Sequence, residues 1–294
     1  MKRILVTGAT GNIGYQVIRY LFEGNTQSRI IAGVRNVEKG KASLRHIGKL
    51  EFREFDFENP ATFDSALEGV DRIFLLRPPH IANIKKHFRP LISKLKEKGI
   101  HEVVFLSVQG AEKSRVIPHH KIEKLITGFN LAYIFLRPSY FMQNLTTPLI
   151  DDIQNKGKII LPAGKAKFNW IDVHNIGEAA AILLEKFEVY KNQAYELTGF
   201  ENEDFYTVAR LINQTLNINI KYESVGPIRF YRIKRKDGLP KGKILVMLML
   251  HFLPRFQKEP HISDFYEQLT GKKPTRLEEF IKREGDKFSS WHFQ

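Results

Sequence analysis

Residues 2–14 read KRILVTGATGNIG. A short apolar core, Ile4 to Val6, runs into a turn with glycines at Gly8, Gly11 and Gly14. An amphipathic stretch follows at once, with Ile13, Val17, Ile18 and Leu21 on one helical face. Glycine allows a tight turn and lets the backbone come close to a pyrophosphate. The N–H groups at the helix start then point at the anion. Three glycines alone say little, but between a first strand and a first helix they predict a dinucleotide-binding turn. Gly8, Thr10, Gly11, Asn12, Ile13 and Gly14 are its expected contacts.

The same alternation continues outward. Apolar runs recur at 30–34 (IIAGV), 73–76 (IFLL), 103–106 (VVFL) and 133–136 (YIFL). They are continuous, as parallel strands buried on both faces require. LEFREF (50–55) alternates and reads as an edge strand. Helical stripes separate them: Ile81, Ile84, Phe88, Leu91, Ile92 and Leu95, with a kink expected at Pro90, and then Ile122, Leu125 and Ile126. Strand–helix alternation at this spacing predicts an α/β fold, a doubly wound parallel sheet of Rossmann type. Residues 1–157 form the expected dinucleotide-binding domain. Residues 158–294 form a mixed segment and a small, mainly helical C-terminal lobe over the substrate, with part of 165–200 returning to the first domain.

Composition narrows the functions. The chain has 294 residues and no cysteine, which excludes disulfides, thiolate nucleophiles and cysteine-bound metal. No signal-peptide pattern opens it, and its longest apolar run, 244–253, is too short to span a bilayer, so a cytoplasmic protein with no membrane partner is expected. The net charge of +14 attracts anions without choosing among them, and a lysine-rich solvated surface accounts for it without nucleic acid.

The second strand sharpens the cofactor. An acidic residue at its end would hold the ribose 2′-OH of NAD. Here RIIAGVRN ends in Val34 and Arg35, with Lys39 four residues on. A carboxylate would repel a 2′-phosphate, whereas arginine grips one with a forked pair of hydrogen bonds. NADP(H) is therefore the expected cofactor. Asp56 and Phe57, after the third strand, are candidates for the adenine rim. Leu76 and Arg77, ending the fourth, should face the crevice at the strand carboxyl ends.

The GxxGxxG spacing resembles the extended and atypical branches of the short-chain dehydrogenase/reductase superfamily. With LSVQGAE, HHKIEKLI, LRPSYFMQNL and FNWIDVHNIGEAA, the chain to about residue 200 resembles the NmrA-like, NAD(P)-binding atypical members, which include quinone reductases and NADP-sensing regulators. A looser similarity continues through YELTG and FYEQLTGKKPTRLEEFI. The wider superfamily uses Tyr-x-x-x-Lys with a serine. The resemblance puts Lys121 in the lysine's place, on the nicotinamide ribose, and Ser107 nearest the serine. Ile117 stands where the tyrosine would be. The usual proton donor is thus missing. His119, His120 and Tyr140 are possible substitutes, Tyr140 also as a cofactor- or pocket-lining residue. Adjacent histidines do not share a helix face as metal ligands would, so no metal is expected. Asp172 reads as an organiser of the loop before the next helix.

In the C-terminal lobe, ILVMLMLHFL (244–253) has almost no polar face and reads as a buried helix closing the pocket. Phe230, Tyr231, Met247, Met249 and Phe252 favour a flat or hydrophobic small-molecule substrate. The leading expectation is an NADPH-dependent reductase of quinone-like or other conjugated acceptors. Its rivals are a non-catalytic NADP(H) sensor bound to a regulatory protein or nucleic acid, and an isomerase or epimerase that recycles its nicotinamide. The absent tyrosine counts against the last. Oligomeric state is not legible.

Overall fold

The computed structural model describes residues 1–115 and 117–288. In chain order the first half comprises β1 (Arg3–Thr7), α1 (Asn12–Glu23), β2 (Arg29–Val34), α2 (Val37–Ser43), β3 (Glu51–Glu54), α3 (Phe63–Ala66), β4 (Arg72–Leu76), α4 (Ile84–Glu97), β5 (Glu102–Leu106), α5 (Pro118–Gly128) and β6 (Ala132–Pro138). Then come β7 (Tyr140–Phe141), α6 (Ile150–Lys156), β8 (Lys158–Leu161), β9 (Phe168–Ile171), α7 (Val173–Glu185), α8 (Phe187–Tyr190) and β10 (Gln193–Leu197). The remainder is β11 (Asn202–Glu203), α9 (Phe205–Leu216), β12 (Lys221–Ser224), α10 (Pro227–Lys236), α11 (Lys241–Phe252), α12 (Phe265–Thr270), α13 (Leu277–Arg283) and α14 (Gly285–Phe288).

The chain divides into two compact units. The first contains Met1–Pro138, Val173–Leu197 and Phe265–Lys272. Its seven strands form one parallel sheet in the order β10-β6-β5-β4-β1-β2-β3. This is the doubly wound α/β arrangement expected from the buried apolar runs. β3 and β10 are its edge strands. The order reverses between β1 and β4, which opens a crevice at the carboxyl ends of these strands. On one side of the sheet, Phe55, Phe57, Phe63 and Phe88 build a buried aromatic core against α4. α4 runs on through Pro90, an exposed position, where the sequence suggests a kink.

The second unit contains Ser139–Asp172, Thr198–Asp264 and the segment from Lys273. The sequence reading places one boundary at 157/158. In the structure, residues 139–157 belong to the second unit, because Met142, Leu145, Leu149 and Ile153 lie in its core with Trp170, Phe205 and Phe280. The unit is helical around two small sheets, β11-β9-β7 and β12-β8. Asn169, almost fully buried, ties it together. Its amide oxygen accepts from Gly199 N and Ser139 Oγ, both at 2.6 Å, and its amide nitrogen donates to Gly199 O at 3.1 Å. Asp172, at 0% exposure, accepts from Gln143 Nε2 at 2.7 Å and pairs with Arg283 at 2.6 Å, an organising role within this unit.

The apolar run 244–253 departs from its expected burial. α11 is not a buried helix. Only Ile244, Met247 and His251 are buried, while Leu245, Val246, Met249 and Leu250 are each about half exposed. A helix apolar all round can bury just one stripe when it packs on a single neighbouring layer. Phe230 and Met247 belong to the unit's core.

Candidate functional site

The turn after β1 has the geometry its glycines imply. Gly8 adopts φ +62°, a left-handed conformation that side chains disfavour. Its carbonyl turns back to accept from Gly11 N at 2.9 Å. Gly14 sits so close beneath that a Cβ there would lie 2.3 Å from Gly8 O. Thr10, Gly11 and Asn12 are exposed, and α1 begins with neither a side-chain cap nor an acidic residue in its first turn. The N–H groups at this helix start thus have no side-chain cap and no carboxylate from the first turn to satisfy them, as an anion site requires. A pyrophosphate fits this turn, whose close packing on α1 any larger residue at position 14 would break.

β1 and β2 pair with Thr7 opposite Gly33, so Arg35 emerges beside the turn. Arg35 and Lys39 are both exposed, and among the described residues neither forms an ion pair. The nearby Glu38 is occupied by Lys41 at 2.8 Å. This end of β2 therefore offers two exposed cations without ion-pair partners among the described residues. Leu76 packs against Gly8, within 3.0–3.2 Å of where a Cβ would stand there. Its N–H donates to Thr7 Oγ1 at 3.1 Å, which fixes β4 against β1 at the crevice.

Other residues singled out in the sequence have different surroundings. Phe57, expected at the adenine rim, has its ring buried among Phe55 and Phe88, where it supports the sheet. Asp56 accepts from Glu58 N at 2.9 Å and shapes the loop after β3. Arg77 curls onto its own loop and donates to the carbonyls of Pro78, Pro79 and Ile81 at 3.1, 3.1 and 2.7 Å.

Around β5 and α5 the polar groups are more tightly held than the sequence suggests. Ser107 is 1% exposed, and its hydroxyl donates to Glu123 at 2.6 Å. Arg137 grips the same carboxylate with Nε and NH2 at 3.0 and 2.8 Å, and reaches Glu112 at 2.9 Å. This buried network pins α5 to β5 and β6. Its one sequence signal is a glutamate between Ile122 and Ile126 on the buried side of α5. Lys121 is exposed on the first turn of α5, and Ile117 is the N-cap residue.

The histidines differ from each other. His120 Nδ1 donates to Ala111 O at 3.0 Å. His119 stacks 6.0 Å from the Phe105 ring, and burial, with help from the Arg77 charge, pushes its pKa down to about 3. It is therefore neutral at physiological pH, and so is a poor source of a proton. Its folded pKa lies below the unfolded value of about 6.5, so the unfolded chain binds more protons between those values and stability falls as pH drops from 6.5 towards 3. His119→Gln is expected to flatten that acid limb of a pH-dependent melting series. It should leave the pH profile of any turnover between about pH 6 and 9 unchanged in shape. A limb that vanishes with the substitution would instead make His119 the acid.

Tyr140 lies in the second unit, opposite Trp170 in the β7–β9 pairing. Its hydroxyl is 2.8 Å from His251 Nε2. His251 Nδ1 is 2.7 Å from the Met247 carbonyl, which can only accept, so Nε2 carries no proton and the phenol donates to it. Burial pushes His251 down to about 4 and raises Tyr140 well above its ordinary value. The phenol thus keeps its proton and uses it inside the second unit, a partnership 111 residues long that no local motif signals. Among the described residues, no group of three or more His, Asp and Glu is arranged to hold a metal ion.

The NmrA-like family model matches residues 1–281. The chain belongs to the NmrA-like family. Prestalk A differentiation protein A of Dictyostelium discoideum is 32% identical over 282 residues, covering 95% of this chain and 91% of its own. The NAD(P)H azoreductase of Xenophilus azovorans is 27% identical and covers 98% and 99%. An NADPH-dependent quinone oxidoreductase from Escherichia coli, solved with NADPH, shares the fold at a TM-score of 0.85, with 24% identity over 95% and 99% of the two chains.

Proposed function

We propose that this NmrA-like protein is an NADPH-dependent oxidoreductase that passes hydride to a quinone-like or other conjugated acceptor. The observation that carries the reading is the open phosphate turn with the free Arg35 guanidinium at its side. The full-length similarity to an NAD(P)H azoreductase supports it. When bound, NADPH supplies the hydride. Gly8, Gly11 and Gly14 receive the pyrophosphate, Arg35 and Lys39 the 2′-phosphate, and Lys121 the nicotinamide ribose.

The acceptor class follows from the missing acid. Hydride addition to a simple ketone builds an alkoxide that needs a positioned proton donor. Ile117 has replaced the tyrosine, His119 is neutral, and Tyr140 is held by His251. A quinone or azo acceptor forms a delocalised anion that solvent can protonate. Steady-state assays with NADPH should show turnover with quinone, azo or enone acceptors and little with unactivated ketones. Oxidation of NADPH at the background rate with every conjugated acceptor would overturn the reading. Tight NADP(H) binding under those conditions would identify a sensor, the role that the same absence of an acid also suits.

A further inference from the structure

α11 and the single turn after it (Leu253–Phe256) hold a row of apolar side chains in water. Leu245, Val246, Met249 and Leu250 are 52–54% exposed, Leu253 46% and Phe256 74%. Positions 245, 246, 249, 250 and 253 fall on one helical face, opposite the stripe of Ile244, Met247 and His251 that packs inward. Isolated exposed apolar residues are ordinary, but a contiguous row marks a surface that something covers.

The charge around the row identifies the partner. Residues 227–258 carry nine lysines and arginines and one aspartate. Of the nine cations only Lys234 is buried, bonded to Asp152. The single carboxylate, Asp237, is taken by Lys156 at 2.8 Å. Lys241 and Lys243 stand exposed at the start of α11. At its other end a cavity of about 590 Å³ is lined by Lys165, Lys167, Arg255 and Lys258, with Glu259 as the one carboxylate. An isologous contact with a second copy would set these cations against themselves. Nucleic acid would meet the cations but leave the apolar row in water. An anionic lipid surface satisfies both: acyl chains take the row and phosphates take the rim.

We propose that the α11 face docks on the surface of membranes containing anionic phospholipid. The 12-residue helix lies in the plane of the interface. No helix among the described residues is long and apolar enough to cross a membrane, so docking is peripheral. The apolar row enters the boundary between headgroups and acyl chains, while the lysines and arginines around it meet lipid phosphate. The cofactor turn plays no part, so the idea stands apart from the proposed activity.

The test is sedimentation of the full-length protein with vesicles of phosphatidylcholine alone or mixed with phosphatidylglycerol. The wild type should pellet with the mixed vesicles and not with pure phosphatidylcholine, and added salt should weaken binding. Lys241→Glu/Lys243→Glu should weaken it by at least about 25-fold, from roughly fivefold per lysine near an anionic surface. Val246→Glu/Leu250→Glu should reduce it at least comparably with melting temperature preserved, because both sites are exposed. A wild type that stays in the supernatant at low salt overturns the proposal. So does binding indifferent to Val246→Glu/Leu250→Glu, and so does a solution dimer that this pair of substitutions dissociates, which would assign the face to a second copy.

Discussion

Gly14→Ala is expected to remove NADPH binding and to lower the melting temperature. The added Cβ would stand 2.3 Å from Gly8 O, 2.8 Å from Gly8 C and 2.9 Å from Ala9 Cα. All three are backbone atoms of the turn, so no side-chain rotation relieves the contact. Either the turn opens or α1 moves away from β1. Overpacking of this kind costs about 1–3 kcal/mol. The functional loss should exceed the loss of stability. The N–H groups proposed to receive the pyrophosphate belong to this turn, so displacing it spoils their aim at the anion. Gly11→Ala is the internal control. It controls for stability alone: its Cβ would meet just one protein atom, Gly8 O, at 3.3 Å, so a much smaller loss of melting temperature is expected. Calorimetric titration with NADPH, beside thermal melts of both variants, measures the two effects separately. A Gly14→Ala protein that melts early yet binds NADPH as tightly as the parent would show that the phosphates lie elsewhere.

The ease with which this turn is read from sequence, and the difficulty of the proton question, share a physical origin. The strand–turn–helix unit is local: β1, three glycines and α1 occupy 21 consecutive residues, and their conformations depend mainly on one another. The continuous apolar runs likewise become the central strands, because burial on both faces leaves no room for alternation. The groups that decide the acid–base character are brought together from far apart. Arg137 reaches Glu123 from the next strand, and His251 reaches Tyr140 across 111 residues. No spacing rule predicts either pair, and each changes what its members can do. Glu123 occupies Ser107, and His251 occupies the phenol that follows β6. α11 marks a different limit. Apolar composition states that a surface is costly in water, not which neighbour covers it. Its inner stripe finds the core of the second unit, and its outer row stays about half exposed.

Arg35→Ala is expected to cost NADPH affinity while leaving NADH affinity as it was. The two cofactors differ by the 2′-phosphate alone, so a residue that serves only this group changes one and not the other. Hydrogen bonds to charged groups contribute about 1.5–3 kcal/mol, which corresponds to a loss of roughly 10- to 150-fold for NADPH. Exposure argues for the lower part of that range at high ionic strength, because salt screens an exposed charge pair. Arg35→Lys separates charge from shape. The ammonium retains attraction but not the planar fork, so its affinity should fall between those of wild type and Arg35→Ala. Lys39, one helical turn into the segment after β2, supplies residual attraction. The double substitution Arg35→Ala/Lys39→Ala should therefore bring NADPH down towards NADH. Paired titrations of both cofactors with each variant carry the measurement. Equal losses for NADPH and NADH would mean that Arg35 holds the strand end, or the adenosine common to both, and that the preference is set elsewhere. A loss confined to NADPH would make this guanidinium the group that tells the two cofactors apart.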